Sequence, residues 1–134
     1  MNNCDLLNFR FVDRIEAKKT LHDFINGTSA APVLWISGEQ GIGITRLIKE
    51  VISKNKGIEI NTSCFRYELP DLTPSRRIIS LYKDLGGEII TTGSDAHCPS
   101  FITCKFDYIQ SYLKDMGFKY ICTFDNLKPN FIKL

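Results

Sequence analysis

Apolar positions along the chain switch repeatedly between helical and extended spacing. Leu21, Phe24 and Ile25 form a stripe within residues 13–26, with Asp13 and Glu16 in capping-box positions and Gly27 as the stop. The short apolar run VLWIS at 33–37 predicts a strand buried on both faces. Leu47, Ile48, Val51 and Ile52 predict a helix over 45–55. A strand is predicted in GIEINTS from Gly57. Thr73 and Pro74 suit the N-cap and first position of a helix whose stripe is Ile78, Leu81, Tyr82 and Leu85, ended by Gly86-Gly87. EIITT at 88–92 is a further strand. A helix over about 103–116 carries Phe106, Ile109, Leu113 and Met116, and Gly117 stops it. KYICTF at 119–124 is the last clear strand, and the partly apolar tail after it is expected to pack at an edge.

Helix and strand therefore alternate. That order predicts an α/β fold of alternating helices and parallel strands, about four strands in all. It corresponds to a partial (β/α) barrel-like fragment or a small three-layer sandwich. Two unusual loops, 38–45 and 93–98, both follow strands. They would share the carboxyl edge, where such sheets bind ligands, if all four strands joined one sheet.

Composition narrows the function classes. The 134 residues are 43% hydrophobic and 24% charged, ordinary for a globular chain. No apolar run approaches the ~20 residues of a membrane helix, and the N-terminal stretch lacks the pattern of a secretory signal. Seventeen Lys and Arg against fifteen Asp and Glu leave a net charge of +2, with no basic excess suited to nucleic acid. The chain is thus expected to be cytoplasmic, with neither nucleic acid nor membrane as partner. Five cysteines at irregular spacing argue against a disulfide framework or zinc knuckle, and Cys122 reads as a small core residue. Only two histidines are present, His22 and His97, so one copy cannot build a histidine cluster.

Two constellations carry chemistry. GEQGIGIT at 38–45 lies between a strand and a helix, where glycines and a helix N-terminus can surround phosphate oxygens. Together with FVDRIEAKKTLHDF it resembles the opening of P-loop ATPases of the AAA/STAND type, over about residues 11–51. Gly38, Gly43 and Thr45 match that nucleotide-binding pattern. The ammonium that should reach the terminal phosphates is replaced by the hydrocarbon of Ile44, which argues for a degenerate loop. The second constellation is GSDAH at 93–97. In an extended segment Asp95 and His97 would project to the same side. A carboxylate beside an imidazole can ligate a divalent metal or act as an acid/base pair.

The surroundings of GSDAH resemble the C-terminal part of the polymerase-and-histidinol-phosphatase (PHP) superfamily, histidinol-phosphatase branch. The landmarks are EINTS at 59–63, Arg66, the PS at 74–75, GGEIITTGSDAH at 86–97, FD at 106–107, GF at 117–118 and KP at 128–129. The resemblance implies a distorted (β/α)7 barrel that hydrolyses L-histidinol phosphate with divalent metals such as Zn, Mn or Fe. It implies that Asp95 and His97 are the last two metal ligands and that Arg66 holds the substrate phosphate. The histidines and the glutamate that complete such a site, beginning with a His-x-His, have no counterpart here. His22 reads as an ordinary surface or packing residue.

The chain thus reads as a composite, a P-loop-like αβα segment over 1–50 and a PHP-type portion over 51–134, sharing one core and joined somewhere within 44–57. The leading expectation is a histidinol-phosphatase-like phosphoesterase by descent, incomplete and inactive alone. The alternatives are a degenerate nucleotide-binding module and a non-catalytic α/β fragment or chimera. If active, its partner is a small phosphorylated substrate. Exposed sheet edges would favour self-association.

Overall fold

The computed structural model describes residues 43–134 without a break, together with residues 9–10, 19–20, 23, 26 and 36–37. The chain divides into two compact units, Met1–Lys54 and Asn55–Leu134. In the first, β1 (Phe9–Arg10) pairs in parallel with β2 (Ile36–Ser37). Lys19, Thr20 and Asp23 are helical, and the rest of the helix expected over 13–26 lies outside the described residues. So does Gly38. Helix α1 (Ile44–Ser53) follows Gly43, whose φ of 98° is left-handed, and it buries Ile48.

The second unit begins with β3 (Ile58–Asn61), which pairs in parallel with β4 (Ile90–Gly93), Ile58 opposite Ile90 and Asn61 opposite Gly93. The one-turn helix α2 (Ser63–Arg66) starts immediately after β3. The Asn61 side-chain oxygen accepts a hydrogen bond from the Ser63 N–H at 2.8 Å, an Asx turn that converts strand into helix. Helix α3 (Arg76–Asp84) then crosses from β3 to β4, and α4 (Phe106–Asp115) lies between β4 and β5 (Tyr120–Asp125).

Ile60 and Ile90 from the strands, Ile79 and Tyr82 from α3, and Ile109 and Leu113 from α4 form the centre of the core. Phe118 and Cys122 close it on the β5 side. Both long helices of this unit end in the same way. Gly86 and Gly117 take left-handed φ values of 85° and 82°. The next residue's N–H then reaches back five residues, Gly87 to Tyr82 and Phe118 to Leu113.

The α/β alternation expected from the sequence is observed, and four details correct or extend it. The described strands do not join one parallel sheet; they form three two-stranded pairs and no closed barrel. The tail is a full strand, β6 (Lys128–Lys133), folded back antiparallel on β5, with Ile121 opposite Ile132. Thr73 is not a helix cap, because it bridges to Asn61 and its carbonyl accepts the Asn61 N–H at 2.7 Å. Helix α3 therefore starts two residues later, and the Asp71 carboxylate takes the Arg76 N–H at 3.1 Å. Finally, α3 turns Ile79 and Tyr82 fully inward and leaves Ile78, Leu81 and Leu85 at the margin.

Candidate functional site

Strands β3 and β4 run in parallel, so their carboxyl ends, Asn61 and Gly93, emerge side by side. The pairing continues one step beyond, where the Thr62 N–H donates to the Gly93 carbonyl at 2.7 Å. Ligands bind at such edges in parallel sheets. The loop leaving β4 carries Asp95 and His97, and the turn leaving β3 carries Arg66.

Asp95 and His97 come together, though not by the route expected. The segment is not extended, for Asp95 has a left-handed φ of 48°. His97 Nε2 nevertheless lies 3.7 Å from Asp95 Oδ1. Both side chains are open to solvent, 83% for His97 and 49% for Asp95. Such a pair can exchange a proton with a ligand held beside it.

Arg66 reaches the same loop. Its Nη1 donates to the Ser94 carbonyl at 2.7 Å and its Nη2 to the Asp95 carbonyl at 2.8 Å. The guanidinium also lies over the rings of Tyr67 and Phe101, at 5.4 and 4.9 Å.

Glu59, which the sequence marks only as the first letter of the EINTS landmark and gives no role, belongs to this edge. Its carboxylate lies against Gly93, so closely that a Cβ there would be 2.5 Å from Oε1. Partial burial pushes the Glu59 pKa above its ordinary value, and the negative charge of Asp95 pushes it further the same way. The available signal was its place in β3, two residues before the strand end, beside a glycine on the facing strand. Thr62 adds a buried hydroxyl with no hydrogen-bond partner.

Two further candidates belong to the first unit. Gly43 and Thr45 occupy the start of α1 in the first unit, with Thr45 exposed. His22 lies outside the described residues.

The implied metals can be tested against these donors. Among the described residues, no group of three or more His, Cys, Asp or Glu side chains is arranged to hold an ion. Catalytic zinc takes about three protein ligands. Asp95 and His97 supply two, on an exposed loop, so the described residues do not fit a resident ion by themselves.

Three curated relatives bear on this edge. A probable histidinol-phosphatase of Thermotoga maritima is 33% identical over 92 residues, 68% of this chain. A histidinol-phosphatase of Lactococcus lactis is 30% identical over 61% of the chain. A probable histidinol-phosphatase of Schizosaccharomyces pombe is 32% identical over 59%. The relationship is histidinol-phosphatase-like. The chain spans only part of these proteins, 38%, 30% and 26% of their respective lengths. No protein-family model matches it.

Proposed function

We propose that residues 57–134 are a histidinol-phosphatase-like phosphoesterase segment that faces a phosphomonoester with the β3–β4 carboxyl edge and does not hydrolyse it alone. The substrate class is L-histidinol phosphate, the ester that the relatives' names imply. The observation carrying this reading is the meeting of Asp95 and His97, 3.7 Å apart, just beyond the strand in the segment that resembles those relatives. Asp95 would orient the imidazole through Nε2, and His97 would present Nδ1 to the phosphate or to an attacking water. In this reading the divalent metals belong to a fuller ligand set, to which Asp95 and His97 contribute two members. Two donors alone would leave an ion mostly to water, so the chain lacks the charge stabilisation that makes metal-assisted hydrolysis fast.

The test is direct. The purified 134-residue protein is assayed for bound Zn, Mn and Fe and for phosphate release from L-histidinol phosphate. The expected outcome is substoichiometric metal and no steady turnover. Tightly bound stoichiometric metal with sustained phosphate release would overturn the claim that the chain is incomplete.

A further inference from the structure

We infer that Arg66 is a positioning residue, a clamp that holds the Ser94–Phe101 loop so that Asp95 stays beside His97. The inference rests on the proposed function only in taking that pair as the chemically important one. Arg66 grips both ends of the loop. At the start, its two terminal nitrogens donate to the consecutive carbonyls of Ser94 and Asp95, at 2.7 and 2.8 Å. At the end, its guanidinium lies over the ring of Phe101, 4.9 Å from its centre, in the 3-10 turn Pro99–Phe101.

The backbone explains why the fork is needed. In an extended strand, consecutive carbonyls point to opposite sides. A residue in a helical-type conformation brings them to the same side. Asp95, at φ 48°, adopts the left-handed version, which L-residues take at a cost and which Asp tolerates better than most. The guanidinium bonds to both carbonyls and so offsets that cost. Lysine carries the same charge on a single nitrogen and lacks the planar fork that reaches two carbonyls at once. The Tyr67 ring on the other contact further restricts where the guanidinium can lie. These bonds commit Arg66 to the loop, a task distinct from the phosphate contact implied by resemblance.

The experiment is a double-mutant cycle read by NMR on the full chain at one fixed pH. The His97 imidazole resonance is recorded with and without Asp95→Asn, in the wild type and in Arg66→Lys, Arg66→Gln and Phe101→Leu backgrounds. Core amides of Ile109 and Leu113 report whether each variant is folded. The clamp predicts that Asp95→Asn moves the His97 resonance in the wild type. In folded Arg66→Lys and Arg66→Gln that response is lost, with no rescue by lysine, and in Phe101→Leu it is reduced. An undiminished response in folded Arg66→Lys overturns the inference. So does the absence of any response in the wild type. Should both Arg66 variants fail to fold, Phe101→Leu decides: a reduced response supports the clamp and an undiminished one overturns it. Phosphate release plays no part in the readout. An inactive protein with an intact cycle would count against the proposed function and leave the clamp standing.

Discussion

Tyr82 shows how much one side chain settles. It is 1% exposed, and its hydroxyl donates to the Ile89 carbonyl at 2.8 Å. Burial raises its pKa from 10 to about 12, because a phenolate there would lose its hydration. The unfolded chain then releases this proton at lower pH than the folded one. Stability is therefore whole below about pH 10 and falls as pH rises towards 12, by about 3 kcal/mol for a shift of that size. Urea unfolding between pH 9 and 12 checks this, and Tyr82→Phe is expected to flatten that part of the curve. The apolar stripe of Ile78, Leu81, Tyr82 and Leu85 makes Tyr82 legible in sequence as a core residue. Glu59 was not legible, because a carboxylate in a strand ordinarily faces water. What gives it a role is Gly93 and Asp95, brought beside it by parallel pairing far along the chain.

At the scale of elements, helix ends were legible where the signal is local. Gly86 and Gly117 stop their helices because their positive φ favours glycine. Gly87 has a different reason to be glycine. A Cβ there would run into the Tyr82 ring, which fills the space over it. Gly87→Ala is therefore expected to destabilise the protein by about 1–3 kcal/mol, the usual cost of overpacking. Thermal unfolding of the variant, with Glu88→Ala as an exposed control, checks the value. The start of α3 lies beyond the Thr73-Pro74 signal because Thr73 is claimed by a non-local bridge to Asn61 that no local pattern announces. The inward turn of Ile79 rather than Ile78 has a similar origin. A broad apolar stripe permits several rotations, and packing against the strands selects one. The partly apolar tail predicts an edge segment, and pairing with β5 makes it a strand at that edge.

On the scale of the whole molecule, the alternation of helices and strands announced an α/β chain but not its division into separate strand pairs. Alternation specifies which elements exist, whereas sheet membership depends on neighbours distant in sequence. The hairpin of β5 and β6 leaves Tyr120, Phe124 and Phe131 about half exposed, with Tyr120 and Phe131 in edge-to-face contact at 5.9 Å. The relatives contain much more chain than this one, and in the proposed reading the residues gathered at the β3–β4 carboxyl edge are one edge of a site. The most direct measurement of that claim is a graft. Residues 57–134 replace the segment they align with in the Thermotoga maritima relative, and phosphate release from L-histidinol phosphate is followed. The account predicts that the graft hydrolyses the ester and loses that activity with Asp95→Asn or His97→Ala. A folded graft with no hydrolysis, or one indifferent to both substitutions, would contradict it.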